Sequence, residues 1–228
     1  MNYTSHQEAK EAILEAGRRL YARGFVCAND GNLSARMADG TVWITPTGVS
    51  KGFMTEEMLV RLDPEGKTVE GTWRVSSEAA MHLALYRENP DIGGVVHAHP
   101  AAATAYSTLG RDFDLAISLD AVLQVGRVPC APYAATGSKA LAESAAKYCN
   151  EAYAALLEHH GAVTWGSDVL RALYRMECLE QTFTVYANMR AFGEVRLLTR
   201  AQLEELEPIK QKFGIPLGGG MKAGEDFE

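Results

Sequence analysis

Gly93-Gly94-Val95-Val96-His97-Ala98-His99-Pro100 is the stretch on which the reading of this chain turns. Two glycines lead into β-branched residues, two histidines follow at i, i+2, and a proline ends the run. A β-strand alternates its side chains between faces, so His97 and His99 present both imidazoles on one side. Their Cα atoms then lie about 7 Å apart, a span that two ligands of one metal ion can bridge. The competing reading is a pair of hydrogen-bonded polar residues at a strand end, and a motif this short does not choose between them.

Upstream, Ser76-Ser77-Glu78 opens a helix that runs through Met81, Leu85 and Tyr86 and stops before Pro90. From Glu78 to Asn89 that helix carries the chain about 17 Å one way. From Gly94 to His99 the strand returns about 17 Å. If the tight turn over 90–93 packs the two antiparallel, Glu78 lands beside His97 and His99. A carboxylate next to two imidazoles suits metal-assisted acid/base chemistry. The alternative is a glutamate that only complements the helix dipole. His82, one turn further along the same face, is expected to orient the carboxylate. A third nitrogen can come from His159 or His160, next to Gly161 where two strands meet. Three histidines with one open position describe a catalytic zinc site, whereas a closed set of four ligands is structural.

The rest of the chain frames this centre. Ser5 and Glu8 form a capping box for a first helix with Ala9, Ile13, Ala16 and Leu20 at helical spacing, ended by Gly24. A polar turn from Ala28 to Ser34 leads into a hairpin closed by Asp39-Gly40, with its second strand over 41–45. Strands are expected over 59–63 and 67–70, a helix over 100–109, a strand over 127–131 and a helix over 138–148. Strands over 154–158 and 162–165 flank His159-His160-Gly161, and a long amphipathic helix follows over 168–192. Thr199 and Gln202 cap a last helix that ends near Phe213. One domain is expected over 1–217, followed by a loose Gly-rich tail over 218–228. Hairpins mixed with helices suggest an α+β sandwich with a largely antiparallel sheet.

At 228 residues the chain can bury one substantial core. Lys+Arg 22 against Asp+Glu 29 gives a net charge of −7, which argues against nucleic acid or an anionic membrane as the main partner. An anionic substrate must therefore be held by local donors. No apolar run approaches the ~20 residues of a membrane span, and the start carries no signal-peptide pattern. Cys27, Cys130, Cys149 and Cys178 are scattered without a Cys-x-x-Cys pair, which suits reduced thiols and a cytoplasmic location.

Ser76 and Ser77 at a helix start offer hydroxyls and free N–H groups to an anion. Asn32 and Thr47-Gly48 lie in loops whose glycines let backbone approach a ligand closely. Each alone is equally an ordinary cap or turn residue. Taken with a metal site, they describe a pocket for a small phosphorylated carbonyl compound.

Gly31-Asn32-Leu33-Ser34, Thr45-Pro46-Thr47-Gly48, Ser76-Ser77-Glu78, Val96-His97-Ala98-His99, Pro129-Cys130-Ala131-Pro132-Tyr133 and His159-His160-Gly161 occur in that order. In this ordered set the chain resembles the class II aldolase/adducin family, most closely its members acting on L-fuculose 1-phosphate, over about residues 5–213. The resemblance implies a three-layer α/β/α fold around a largely antiparallel sheet, and a homotetramer with sites at subunit interfaces. It also implies one Zn2+ per subunit on His97, His99 and His160, since the family's third ligand directly precedes the glycine; other divalent metals can substitute. By the same resemblance Glu78 is the catalytic acid/base, and Asn32, Thr47, Gly48, Ser76 and Ser77 cradle the phosphate.

The implied reaction is reversible cleavage of a ketose 1-phosphate to dihydroxyacetone phosphate and a small aldehyde. The chain departs from the aldolase pattern at Ser118 and Phe213, where tyrosines serve the aldehyde side. A 5-deoxy- or 5-methylthio-ribulose 1-phosphate is accordingly a second candidate substrate. Pentulose-phosphate 4-epimerases of this fold carry aspartate at the position of Glu78. Sugar-acid phosphate decarboxylases tend to carry lysine at that of Ser77. A non-catalytic adducin-like module would lack the metal histidines.

Overall fold

The strand expected around the paired histidines forms over Gly94–Ala98, near the middle of an eight-stranded sheet. The computed structural model describes residues 2–212 and 219–225. In chain order its elements are α1 (His6–Ala22), β1 (Asn32–Arg36), β2 (Val42–Ile44), β3 (Val60–Leu62), β4 (Thr68–Glu70), α2 (Ala79–Glu88), β5 (Gly94–Ala98) and α3 (Ala101–Ser107). They continue with β6 (Cys130–Ala131), α4 (Lys139–Ala146), β7 (Ala154–Leu157), β8 (Gly161–Gly166), α5 (Val169–Phe192) and α6 (Arg200–Lys212). Among the described residues no helix is long and apolar enough to cross a membrane.

The strands lie in the order β4-β3-β2-β1-β5-β8-β7-β6. Every neighbouring pair is antiparallel except β6 and β7. Both faces of the sheet are covered, which is why the central strands read as nearly continuous apolar runs. On one face Val42, Ile44, Val95, Val163 and Trp165 pack under α2 and α4. On the other, Leu33, Trp43, Val96, Ala98 and Ala162 pack under α1, α3 and α5. The result is the expected α/β/α sandwich around a largely antiparallel sheet.

Local chemistry fixes the helix starts. Ser5 Oγ accepts from the Glu8 N–H, and Asp168 Oδ1 accepts from the Arg171 N–H at 2.8 Å. Thr199 and Gln202 close their capping box reciprocally at 2.9 and 3.3 Å. The helix after the histidine strand takes its cap from a distant residue: Glu180 on α5 accepts from the N–H groups of Ala102 and Ala103, both at 2.9 Å. That carboxylate satisfies donors that a helix start leaves unpaired and complements its dipole.

Several details go beyond or differ from the expected elements. Glu78 itself is the N-cap residue of α2, because the Ser76 hydroxyl turns back to accept from the Glu78 N–H at 3.3 Å. The helix after Pro100 ends at Ser107 rather than 109. Residues Ala121–Val125 form a single π turn, closed by the Gly126 N–H on Ala121 O at 2.7 Å with Gly126 at φ +70°. In the segment expected as a tail, Lys222 bridges to Leu115 and Gly224 to Thr199. The expected end of the last helix, Phe213, lies outside the described residues.

Candidate metal and catalytic site

His97 sits on β5 with neighbours on both sides, opposite Asn32 of β1 and Val163 of β8. Its Nδ1 lies 2.9 Å from the carbonyl oxygen of Ala162, an acceptor, so Nδ1 carries the proton and Nε2 keeps a lone pair. His99 follows the strand end, with Asp30 Oδ2 3.5 Å from its Nδ1; a carboxylate there favours the same tautomer. His160 arrives from the β7–β8 turn, whose preceding residue His159 is exposed and left-handed at φ +57°. Gly161 completes the turn. A Cβ there would fall 2.6 Å from Ala98 O and 2.7 Å from His99 Cδ2, so only glycine lets the turn close against His99.

The three imidazole rings sit 4.8–4.9 Å apart, centroid to centroid. One ring nitrogen from each of His97, His99 and His160 lies within 4.8 Å of the others. Nε2 of His97 and Nε2 of His99 are 3.1 Å apart. The Glu78 carboxylate closes the group, with Oε2 3.2 Å from His97 Nε2 and Oε1 3.6 Å from His160 Nε2.

Burial, reinforced by neighbouring His99 and His160, holds His97 well below the ordinary imidazole range. Burial also lowers His160, against the opposing pull of Glu78. The approach of His97 to Glu78 is therefore no ion pair. It is a set of acceptor atoms converging on one point, an arrangement that a divalent cation stabilises. Three imidazole nitrogens on separate loops and strands match the donor set of an open zinc-type site. The buried Glu78 Oε1 and His160 Nδ1 have no hydrogen-bond partner among the described residues.

Glu78 is anchored from behind. Asn32 Nδ2 donates to Glu78 Oε2 at 2.7 Å, and Asn32 Oδ1 lies 2.5 Å from His82 Nε2. His82 Nδ1 meets Ser34 Oγ at 2.6 Å, and Ser34 Oγ meets the Tyr86 hydroxyl at 2.7 Å. Desolvation pushes buried His82 down to about 3, with His97 adding to the effect.

The residues expected to cradle phosphate lie beside this carboxylate. Pro46 bridges to Val75, Thr47 donates its N–H to Arg74 O, and Ser76 donates its N–H to Thr45 O. These contacts bring Thr47-Gly48 against Ser76-Ser77. Gly48 at φ +77° and Ser77 are exposed. Lys51 fastens the loop from below: its buried Nζ donates to Asn29 O at 2.8 Å and Val49 O at 2.6 Å, and burial pushes it down to about 8. Asn32 is adjacent in the strand register; its side chain gives one N–H to Glu78 and its carbonyl oxygen to His82, and an amide NH2 carries a second N–H. Ser118 caps the π turn, its Oγ accepting from the Ala121 N–H at 3.1 Å.

Sequence reasoning missed Asp30, Ser34 and Tyr86. Asp30 stood in an evident polar turn, and the i, i+4 step from His82 to Tyr86 was the available signal for the last.

A buried carboxylate beside three converging imidazoles, on an α/β/α sandwich, is a donor set that could hold a metal ion. The profile described as "Class II Aldolase and Adducin N-terminal domain" matches residues 11–187, and the chain belongs to this family. A 3-oxo-tetronate 4-phosphate decarboxylase of Haemophilus influenzae is 37% identical over 202 residues, covering 87% of this chain and 95% of that protein. A 5-deoxy-D-ribulose 1-phosphate aldolase of Bacillus thuringiensis is 30% identical, covering 91% and 98%. Among solved structures, an L-fuculose 1-phosphate aldolase superposes with TM-score 0.83 at 31% identity, covering 92% of this chain and 98% of that one. The chain is an enzyme of the aldolase and decarboxylase lyases of this family, which act on sugar phosphates with the help of a metal ion.

Proposed function

We propose that this enzyme cleaves a carbon–carbon bond of a phosphorylated ketose to leave dihydroxyacetone phosphate, with aldol cleavage of a ketose 1-phosphate as its reaction. The observation that carries the reading is the buried Glu78 carboxylate, held against three imidazoles whose ring nitrogens converge. His97, His99 and His160 would hold one Zn2+, which when bound would supply Lewis acidity toward the substrate's carbonyl oxygen. Glu78 delivers a proton to the carbon freed by cleavage and removes it in the reverse direction. The Gly48 and Ser77 N–H groups, with the hydroxyls of Thr47 and Ser76-Ser77, receive the phosphate through local donors in an otherwise acidic protein. We place the enzyme in the cytoplasm as a homotetramer. Its four free cysteines and exposed aromatic side chains such as Phe53 and Phe192 support that placement.

A second reading is favoured by the 37% identical relative: decarboxylation of a 3-oxo-tetronate 4-phosphate. Loss of CO2 from that acid leaves the same three-carbon carbanion, and protonation gives the same dihydroxyacetone phosphate. CO2 needs no proton as it leaves, so Ser118 in place of an aldehyde-side tyrosine suits this reading. Ser77, where such decarboxylases tend to carry lysine, favours the aldolase.

Zinc-loaded enzyme offered L-fuculose 1-phosphate, 5-deoxyribulose 1-phosphate and a 3-oxo-tetronate 4-phosphate, with coupled detection of dihydroxyacetone phosphate, separates the readings. Release from a ketose 1-phosphate supports the aldolase. Release only from the oxo-acid, with CO2, replaces it by the decarboxylase. Release from none removes both.

A further inference from the structure

Glu78, His82 and Tyr86 are spaced by four along the start and body of α2, so they form one stripe on its surface. Asn32 and Ser34 are i, i+2 on β1 and share a face of that strand. The stripe and the strand face interdigitate: Glu78–Asn32–His82–Ser34–Tyr86 is one continuous chain of hydrogen bonds of 2.5–2.7 Å. All five residues are buried.

Chemistry fixes the direction of every proton in it. Asn32 Nδ2 donates to Glu78 Oε2, so the end of the amide facing His82 is the carbonyl. That carbonyl accepts, so His82 Nε2 carries a proton. A neutral imidazole protonated there offers Nδ1 as an acceptor, which takes the one proton of Ser34. The Tyr86 hydroxyl must then donate to Ser34. Burial raises the Tyr86 hydroxyl well above its ordinary value and lowers His82, so both remain in the forms this ordering needs.

Mutual satisfaction of buried polar groups explains that such atoms are paired. It does not explain why the chain ends on one oxygen of Glu78 while the other faces His160 Nε2 at 3.6 Å. Oε2 is taken by Asn32, whereas buried Oε1 has no hydrogen-bond partner among the described residues.

We propose that Tyr86, Ser34, His82 and Asn32 are positioning residues that grip Glu78 by Oε2 and hold its carboxylate against the three imidazoles. The inference rests on Glu78 as the acid/base of the proposed reaction.

The test uses the zinc-loaded full chain and the exchange of carbon-bound protons of dihydroxyacetone phosphate with 2H2O, followed by proton NMR. This half-reaction is common to both readings of the activity. His82→Leu removes the donor, and His82→Gln restores an N–H near the position of Nε2. The expected result is a fall in kcat for His82→Leu of about 10–100-fold. KM for dihydroxyacetone phosphate and zinc content stay within about twofold, and His82→Gln recovers most of the loss. Nitrogen NMR of the unsubstituted protein, which needs no variant to fold, should show His82 protonated on Nε2 and neutral from pH 6 to 9.

A proton on Nδ1, unchanged kcat in His82→Leu, a loss that tracks zinc content, or a His82→Gln no better than His82→Leu would each overturn the proposal. Glu78→Gln separates its failure from that of the function. Unaltered exchange in Glu78→Gln removes the acid/base reading itself. Silent Glu78→Gln beside a fully active His82→Leu removes only the positioning role.

Discussion

Nε2 of His97 and Nε2 of His99 face each other at 3.1 Å, and the tautomer set by Ala162 leaves the first of them without a proton. That lone pair needs a shared proton or a shared cation, and the converging ring nitrogen of His160 suits a cation held by all three rings. Chelation should therefore abolish activity, and restoring one equivalent of Zn2+, Mn2+ or Co2+ should recover it. Binding to the folded state alone also stabilises it, by about 4 kcal/mol at a thousandfold excess over Kd. Calorimetry of the stripped and reloaded protein reads this as a rise in Tm. Full activity in protein shown to be metal-free would contradict it.

Glu78→Gln keeps the size of the side chain and its contact with Asn32 but removes the base. Turnover should fall by about two to four orders of magnitude while zinc stays bound. Steady-state kinetics beside elemental analysis checks both halves.

Acid should destabilise the metal-free protein through His82. Its pKa is about 3 in the folded chain against 6.5 unfolded, so below 6.5 the unfolded chain binds more protons and stability falls with pH. The slope attributable to this one residue is about 1.4 kcal/mol per pH unit between about 6.5 and 3. Urea titrations of stripped protein at pH 7, 6 and 5 measure it. His82→Gln, which does not titrate, should flatten the dependence by that amount, and an unchanged slope would count against a neutral buried His82.

Gly161→Ala forces a Cβ to within 2.7 Å of His99 Cδ2 and 2.6 Å of Ala98 O. Backbone or ring must shift, which moves a ligand rather than deleting it. Metal affinity should drop by at least about tenfold with the fold retained. Competition with a chromophoric chelator gives the number, and circular dichroism confirms the fold.

What the sequence disclosed was local or antiparallel-return in nature. The capping boxes at Ser5 and Thr199 and the amphipathic run of α5 need only neighbours in the chain. The pairing of Glu78 with His97 needed only equal lengths of helix and returning strand, so the central geometry was legible. His160 was separated from His159 by family resemblance, and the left-handed turn at His159 supplies the physical reason. The positioning chain was not legible beyond His82, because Ser34 meets it only when β1 lies beneath α2. Asp30 reaches His99 across the β1–β5 pair for the same reason. The π turn at Ala121–Val125 escaped because its closure depends on Gly126, which reads as a loop residue.

The most direct test of the account is anomalous diffraction at the zinc edge from crystals of the zinc-loaded protein. The account predicts one peak per chain, about 2.0–2.1 Å from a nitrogen of each of His97, His99 and His160, with the Glu78 carboxylate at its edge. A peak elsewhere, or none among those three imidazoles, would contradict it.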